Sequence, residues 1–344
     1  MSRTATSQLE SIADESPRIA VLIPCYNEEP TVGEVVAAFR AELPAARIYV
    51  FDNNSTDRTV ACALAAGATV LREPRQGKGF VVQSMFRRVE ADVYIMVDGD
   101  GTYPAAEVHR LAAPIIANDA DMVVGSRLQS GTRSEFRQLN RWANRLVLKL
   151  LNSIFSVQLT DILSGYRAFS RRFVKGLPLF GGGFEIETEL TIKAVARGMR
   201  IVEVPTTLTS RPEGSHSKIR FFRDGALILN TILALFRDYK PLTFFGSVGI
   251  ALLLMSLVPG LVAVVDPVDK GVRMPLTVLA VGLVLCGLLS LTVGLVLHSI
   301  ARRSQEFEYQ LQVLTDEMRA GLGGRAVDEA TNHERTTAAP HGDR

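Results

Sequence analysis

From residue 18 to about residue 210, short apolar segments rich in β-branched residues alternate with longer segments in which apolar residues recur every three or four positions. The short segments predict buried strands, and the longer ones predict helices that cover them. We expect strands at 19–23, 48–51, 69–71, 93–97 and 122–124. We expect helices at 31–43, 56–66, 80–89 and 104–118. This alternation is typical of an α/β domain with a mostly parallel sheet.

The C-terminal part of the chain contains two long apolar runs that carry no charge. They cover residues 241–265 and 274–297, and we expect the second helix to extend to residue 300. Each run can cross about 30 Å of hydrocarbon as a helix, which favours a transmembrane hairpin over two buried helices of a soluble domain. The short link at residues 266–273 carries two acids and two bases. Basic residues also flank both outer ends, so the positive-inside rule places the α/β domain and both termini in the cytoplasm. These residues are Arg237, Lys240, Arg302 and Arg303.

The patterns divide the chain into six parts. They are an N-terminal tail (1–17), the α/β domain (18–218), an amphipathic helix (219–240), two transmembrane helices (241–265 and 274–300) and a cytoplasmic tail (301–344). Both tails are polar, so we expect them to be largely disordered apart from a short helix at 304–319. The N-terminal tail lacks the apolar core of a signal peptide. The amphipathic helix fits the membrane interface, and a packed surface helix is the alternative.

The composition argues against several functions. A net charge of +2 over 344 residues leaves no large basic field, so nucleic acid is not an expected partner. The cysteines, Cys25, Cys62 and Cys286, lack metal-ligand spacing, and the five histidines are scattered. A zinc site is therefore not expected.

The sequence Asp98-Gly99-Asp100 directly follows the strand expected at 93–97. In an extended chain, residues two apart project to the same side, so both carboxylates can face one point beyond the strand. Hard oxygen donors in this arrangement suit Mg²⁺ or Mn²⁺ shared with substrate phosphates. Asp and Gly are also ordinary turn residues, so this segment alone leaves both readings open.

Polar, acid-bearing turns also follow two other expected strands. Residues 24–29 (PCYNEE) follow the first strand, and residues 52–57 (DNNSTD) follow the second. Turn formation or helix capping explains any one of them. Three such turns at strand ends of one sheet favour a ligand pocket, because parallel α/β sheets bind ligands at that edge.

The ordered motifs resemble the catalytic domain of family 2 inverting glycosyltransferases. They are VLIPCYNEE, FDNNSTDRT, REPRQGKG, VDGDGTY, MVVGSR and TDILSGYRAFSRRF. With the two C-terminal apolar runs, the series resembles the dolichol-phosphate mannose synthase and polyprenyl-phosphate glycosyltransferase branch. The resemblance implies a Rossmann-like glycosyltransferase A-type domain that transfers a hexose, mannose or glucose, from a GDP- or UDP-linked sugar. The implied acceptor is polyprenyl phosphate of the dolichyl or undecaprenyl type.

The resemblance also implies roles for individual residues. The nucleotide sugar would contact Pro24, Tyr26, Glu28, Asp52, Lys78 and Asp98. Asp98 and Asp100 would bind the metal. Thr102 lies four residues after Asp98, where family members often carry a polar side chain, and threonine is a weaker metal ligand than an amide or a carboxylate. Lys78 and Arg75 would lie on a flexible loop that closes over the phosphates, with a solvated basic turn as the alternative. Glu29 and Asp57 are expected to stabilise helix N-termini instead.

An anionic lipid phosphate can attack the sugar without a strong base, provided that cations position and neutralise it. Arginine suits this task best, and Arg127 is the strongest candidate, with a catalytic role beside Asp98 and Asp100. The further candidates for binding the acceptor phosphate are Arg141, Ser164, Arg167, Arg211, Ser215 and Lys218. The alternative for the basic residues among them is that they are ordinary surface charges. Glu185, Glu187 and Glu189 either stabilise a helix N-terminus or orient substrate hydroxyl groups.

Two other functions remain open from the sequence. One is a glycosyltransferase that acts on a polysaccharide or a lipid without phosphate. Residues 138–142 (QLNRW) fit a short motif of processive synthases, but a pattern with two free positions is weak support. The other is a membrane scaffold that binds nucleotide sugar without catalysis. A homo-oligomer is compatible with the sequence.

Overall fold

The structure is a computed structural model, and its described parts form two compact units, Met1–Leu235 and Phe236–Arg344. The residues that it describes are 17–127, 148–149, 152–154, 158–183, 185–209, 221–265 and 270–337. The expected disorder of the N-terminal tail concerns residues that lie, except for Pro17, outside this set. Each unit is considered by itself below.

The first unit alternates strands and helices as expected. The strands are β1 (Ile19–Cys25), β2 (Arg47–Asp52), β3 (Thr69–Arg72), β4 (Val93–Met96), β5 (Met122–Ser126), β6 (Arg167–Ser170) and β7 (Ile201–Pro205). The helices are α1 (Val32–Glu42), α2 (Thr59–Ala65), α3 (Lys78–Arg88), α4 (Val108–Ile116), α5 (Arg171–Gly176) and α6 (Ile186–Ala196). A 3₁₀ turn, Ala105–Glu107, leads into α4.

The seven strands form one sheet in the order β3-β2-β1-β4-β6-β5-β7. All pairings are parallel except those of β6, which runs antiparallel to both β4 and β5. The expectation of a mostly parallel α/β sheet is confirmed. Because β1, β2 and β4 run side by side in the same direction, the turns that follow them lie at one edge.

Each face of the sheet is covered by helices, which explains why the strands are apolar throughout rather than alternating with polar residues. Val21 and Ile23 of β1 pack with Val36 and Phe39 of α1 in one buried cluster. Leu22, on the other face, belongs to a second cluster. That cluster includes Val82 and Met85 of α3, Phe173 of α5 and Leu190 of α6.

Helix α7 (Phe221–Tyr239) occupies most of the segment expected to be amphipathic, and α8 (Pro241–Val265) and α9 (Lys270–Thr337) follow. Residues Pro241–Val265 and Arg273–Ser304 are long and apolar enough to cross a membrane, and most of their side chains are exposed, unlike those of a soluble core helix. Gly249 and Gly287 allow the two backbones to approach closely, since a Cβ on Gly249 would lie 2.8 Å from the Gly287 oxygen. The Ser290 hydroxyl also donates a hydrogen bond to the Phe245 oxygen at 2.8 Å.

Several helix boundaries differ from the expectation, and two of these differences have a clear cause in the sequence or the structure. Helix α2 begins at Thr59 rather than at residue 56, because the Asp57 carboxylate accepts hydrogen bonds from the Thr59 amide at 3.0 Å and the Thr59 hydroxyl at 2.5 Å. Helix α9 continues to Thr337, where we expected a short helix and then disorder. The segment contains no proline after Pro275 until Pro340, and its Ala, Glu, Arg and Gln residues favour helix despite its glycines.

Glu73, directly after β3, is a buried carboxylate whose charge stabilises the fold. Hydrogen bonds from the Arg75 side chain lower the pKa of Glu73 from 4.5 to about 2, against the opposing effect of burial. The charged form is therefore favoured in the folded state, so its contribution is complete above pH 4.5 and is lost as the pH falls towards 2. We expect this contribution to be about 1–2 kcal/mol, because the half-exposed Arg75 is screened by solvent.

Thermal unfolding of the full-length protein in detergent at pH 2.5 and pH 6 tests this prediction. Glu73→Gln should unfold at a lower temperature than the native protein at pH 6, and the difference should shrink at pH 2.5. Asp119→Asn, at an exposed acid, should change neither value. A difference that is equal at the two pH values would contradict the role given to the Glu73 charge.

Candidate active site

The turns after β1, β2, β3 and β4 meet at one edge of the sheet. In the strand register, Asp52 lies beside Cys25 on one side and Arg72 on the other. The chain segments stay in contact beyond the strands, because the Asn53 amide donates to the Cys25 oxygen and the Glu73 amide donates to the Asp52 oxygen, both at 2.9 Å. The structure thus brings together the polar turns that the sequence suggested.

The four residues predicted to contact the nucleoside all lie at this edge. Pro24 is buried, Glu28 is half-buried, and Tyr26 is 38% exposed. Asp52 is buried, and its Oδ1 accepts a hydrogen bond from the Ser55 amide at 3.1 Å. They can therefore line one side of a ligand site, and their contacts with a nucleotide stay a prediction.

Asn53, for which the sequence predicts no role, connects the turn after β2 to the turn after β3. Its side-chain nitrogen donates to the Glu73 oxygen at 3.0 Å and to the Arg75 oxygen at 2.8 Å. Its Oδ1 accepts a hydrogen bond from the Gly77 amide at 2.8 Å. Asn53 therefore fixes the backbone that leads into Lys78, and its position beside Asp52 was the only signal in the sequence.

Glu29 and Asp57 support the start of α2 rather than the ligand edge, as expected. The Glu29 carboxylate accepts a hydrogen bond from the Arg58 amide at 2.9 Å and forms an ion pair with the Arg58 side chain. Asp57 accepts from the Glu29 amide at 3.1 Å in addition to its bonds with Thr59. Their pKa values are held below the ordinary values, for Glu29 by the hydrogen bonds from Arg58 and for Asp57 by hydrogen bonds that outweigh burial.

The Asp98-Gly99-Asp100 turn follows β4 and packs tightly against the end of β1. A Cβ on Gly99 would lie 2.6 Å from the Cys25 sulfur, so only glycine fits there. The Thr31 hydroxyl donates to the Gly99 oxygen at 2.6 Å. Asp100 is buried, and its Oδ1 accepts hydrogen bonds from the Thr102 hydroxyl at 2.7 Å and the Thr102 amide at 3.2 Å. Thr102 thus orients Asp100 in this structure.

Lys78 is the first residue of α3, and its ammonium group lies between two carboxylates. The Nζ atom is 2.6 Å from Asp98 Oδ1 and 2.6 Å from Glu187 Oε1. Burial alone would lower the pKa of Lys78, but these two carboxylates outweigh it and hold the pKa above its ordinary value. The alternative, a solvated turn, is wrong for Lys78, because the side chain is only 12% exposed. Closure of this segment over the donor phosphates stays a prediction.

The backbone around Lys78 contacts the glycine-rich segment that precedes α6. The Gly79 amide donates to the Gly182 oxygen at 3.2 Å, and any Cβ on Gly77 or Gly79 would overlap this segment. Gly77 also has φ 137°, which favours glycine. The close approach places α6, and with it Glu187, beside Asp98.

The three glutamates of this region have three different environments. Glu187 is buried in the ion pair with Lys78. Glu185 accepts hydrogen bonds from the amides of Gly182 and Gly183, at 3.1 and 2.9 Å. Glu189 accepts from the amides of Phe180 and Gly181 and pairs with Lys193 at 2.6 Å. Glu185 and Glu189 therefore shape the loop, while Glu187 reaches the site.

Arg127, just after β5, is held by a bidentate ion pair with Asp161. Its Nε and Nη2 atoms lie 2.6 and 2.7 Å from the two Asp161 oxygens. Burial alone would lower the pKa of Arg127, but Asp161 raises it above the ordinary value. Asp161 is itself fixed, because Glu203 of β7 accepts a hydrogen bond from its amide at 3.0 Å. The Arg127 side chain remains 30% exposed, so a ligand can reach it.

Two acceptor candidates are buried structural residues, which corrects the expectation for them. The Ser164 hydroxyl lies 3.4 Å from the Tyr103 hydroxyl and accepts a hydrogen bond from the Tyr166 amide at 3.3 Å. The Arg167 guanidinium is fully buried and donates to the Ile162 and Ser164 oxygens. Neither side chain is available to an acceptor phosphate in this structure. The other acceptor candidates, Arg141, Arg211, Ser215 and Lys218, lie outside the described residues.

Comparison with known proteins adds an independent line of observation. A family model described as "Glycosyl transferase family 2" matches residues 20–177. The glycosyltransferase AglJ of Haloferax volcanii is 36% identical over 234 residues, which are 68% of this chain and 77% of that protein. A dolichyl-phosphate hexose transferase of the same organism is 28% identical over 62% of this chain and 92% of its own. An undecaprenyl-phosphate mannosyltransferase of Micrococcus luteus is 28% identical over 57% of this chain and 86% of its own.

Among solved structures, glucosyl-3-phosphoglycerate synthase from Mycobacterium tuberculosis, crystallised with Mn²⁺, UDP-glucose and phosphoglyceric acid, is similar in fold. It superposes with a TM-score of 0.53 at 23% identity, over 65% of this chain and 82% of its own. This similarity supports the α/β architecture described above.

Proposed function

Because the chain belongs to glycosyl transferase family 2, as its motif series predicted, we propose that it transfers a hexose from a nucleoside-diphosphate sugar to polyprenyl phosphate. The observation that carries this proposal is the combination, in one chain, of a sugar-transferase site that contains Arg127 and two helices apolar enough to span a membrane. The names of the dolichyl- and undecaprenyl-phosphate transferases among its relatives support the same acceptor class.

On the donor side, the nucleoside would lie against Pro24, Tyr26, Glu28 and Asp52. Their common position at the carboxyl ends of β1 and β2 supports this assignment. The diphosphate would then extend towards the turn after β4, where Asp98 and Lys78 lie. A GDP- or UDP-linked mannose or glucose is the proposed donor.

Asp98 and Asp100 would hold a divalent ion, Mg²⁺ or Mn²⁺, on the donor diphosphate. Their donor set fits such an ion, because Mg²⁺ is commonly bound through one or two carboxylates, with substrate phosphates and water completing its shell. Within the described parts of the chain, no group of three or more His, Cys, Asp or Glu side chains could hold a metal alone. When bound, the ion neutralises the diphosphate leaving group.

On the acceptor side, Arg127 would bind the lipid phosphate. Its guanidinium group is oriented by Asp161 and has the planar donor pattern that matches phosphate oxygens. The phosphate oxygen is anionic near neutral pH, so it attacks the anomeric carbon without losing a proton. The new carbon–oxygen bond forms as the bond to the diphosphate breaks, and the diphosphate leaves with the electron pair. A single displacement of this kind inverts the anomeric centre.

The proposed location is a membrane that the chain spans twice, with the active site and both termini in the cytoplasm. Arg237 and Lys240 before α8 and Arg302 and Arg303 within α9 support this orientation by the positive-inside rule. Helix α7 would lie at the interface, and its exposed Leu229 and Leu233 support this position. In this topology, the active site and a lipid phosphate at the cytoplasmic surface would be on the same side of the membrane.

A panel of radiolabelled nucleotide sugars tests the proposal. Membranes containing the full-length protein are incubated with each donor and polyprenyl phosphate. The products are then extracted into organic solvent and identified by mass spectrometry. We expect one donor to give a hexosyl phosphoryl polyprenol, and unphosphorylated polyprenol to give no product. Donor binding without turnover would support a scaffold instead, and product from an unphosphorylated acceptor would support the alternative glycosyltransferase.

A further inference from the structure

Lys78 places one positive charge between two carboxylates, one buried and one partly exposed. Its ammonium nitrogen lies 2.6 Å from Asp98 and 2.6 Å from Glu187. The Lys78 and Glu187 side chains are only 12% and 5% exposed, whereas the Asp98 side chain is 27% exposed and an ion can reach it. At this separation and burial, the ammonium group neutralises much of the charge on Asp98.

The backbone on both sides of Lys78 is closely packed against a neighbouring segment. Gly77 and Gly79, on either side of Lys78, pack closely against Gly181 and Gly182, in the segment that precedes Glu187. On the far side of Asp98, Gly165 approaches the carboxylate so closely that a Cβ there would overlap Oδ2. The flexible four-carbon stem of Lys78 allows its ammonium group to move away from Asp98.

We propose that Lys78 is a stand-in cation. Its ammonium group pairs with the Asp98 carboxylate in the nucleotide-free enzyme and excludes a divalent ion until that ion arrives together with the donor diphosphate. The proposal rests on the proposed function, because it takes Asp98 and Asp100 as the metal site. A divalent ion that approaches alone meets a carboxylate already neutralised and an ammonium group that repels it. A diphosphate adds negative charge that compensates both cations.

The arrangement sets the order of binding. Free Mg²⁺ or Mn²⁺ binds weakly to the empty site, and the metal enters as its complex with the nucleotide. Glu187 is then a positioning residue, since it holds Lys78 at the site from α6 without contacting the metal.

Binding of Mn²⁺ alone to the purified full-length protein, measured by the electron paramagnetic resonance signal of free Mn²⁺, tests this inference. We expect weak binding to the native protein and tighter binding when UDP or GDP is added. Lys78→Met should tighten the binding of Mn²⁺ without nucleotide by about tenfold or more. Lys78→Gln, which keeps a hydrogen-bond donor but no charge, should give most of this gain with less disturbance of the fold.

Lys175→Met is the matched control. Lys175 is also an ion-paired lysine near α3, but it contacts the Phe86 and Val89 oxygens at the opposite end of that helix. Its loss should leave Mn²⁺ affinity unchanged. The double variant Lys78→Met with Glu187→Gln should keep the gain, because Asp98 is still released.

Unchanged or weaker Mn²⁺ affinity in both Lys78 variants would overturn the inference. So would a gain that disappears in the double variant, because Glu187 would then have become a new metal ligand. The measurement needs no turnover, so its result is separate from that of the donor panel. If the native protein makes sugar lipid and the Lys78 variants show no gain, the stand-in role fails and the proposed function stands.

Discussion

Asp100→Asn is expected to lower the rate of sugar transfer by about a thousandfold. The Asp100 side chain is buried, and hydrogen bonds from Thr102 fix its orientation, so asparagine can take the same place while removing the charge. Under the proposed mechanism, this loss weakens the binding of the ion that neutralises the diphosphate. The rate should be measured as organic-soluble sugar lipid formed per minute at saturating donor, over a range of Mn²⁺ concentrations.

Asp92→Asn provides the matched control for this variant. Asp92 immediately precedes the same strand, at its other end, and pairs with Arg18 on the surface. We expect its replacement to change the transfer rate less than twofold, in line with the small effects of exposed ion pairs. If Asp100→Asn retained more than about a tenth of the native rate, a metal bound through this carboxylate could not be the main source of leaving-group stabilisation.

Arg127→Gln is expected to lower kcat/KM for polyprenyl phosphate by about a hundredfold to a thousandfold. The Asp161 carboxylate orients the Arg127 guanidinium through two short hydrogen bonds, so the positive charge is in place before the acceptor binds. Replacement removes both the charge and the bidentate geometry. Initial rates at several lipid concentrations would show the loss, while the KM for the donor should change little.

This measurement also distinguishes a lipid phosphate acceptor from an acceptor with an uncharged hydroxyl group. An acceptor with an uncharged hydroxyl group gives Arg127 no anion to bind, so the variant would then retain most of its activity. Arg171→Gln serves as the control. Arg171 is the first residue of α5, is half-exposed and pairs with Glu90. Equal losses in the two arginine variants would indicate a general effect on the fold.

Much of the fold could be predicted because its signals are local. Each strand of the first half of the domain is a short apolar run bounded by polar turns, and the parallel sheet follows from the helices between them. The Asp98-Gly99-Asp100 turn could be recognised for the same reason, since two carboxylates two residues apart at a strand end need no tertiary information.

The parts that could not be predicted depend on contacts between distant residues. Glu187 pairs with Lys78 only because α3 and α6 meet through two glycine segments, and no pattern near either residue specifies that contact. Ser164 and Arg167 look like phosphate ligands in the sequence, because residue type does not show burial. Asp161 was overlooked because its role, to orient Arg127, depends on a partner 34 residues away along the chain.

The strand order also has a consequence during synthesis on the ribosome. Strand β5 has no direct pairing with β4, and both are joined through β6, which is made later. Until Arg167–Ser170 has emerged, β4 has an open edge, and an open edge is a template for pairing with other chains. The nascent protein therefore carries Asp98 and Asp100 just beyond an unprotected strand until the second half of the domain is made and closes the sheet.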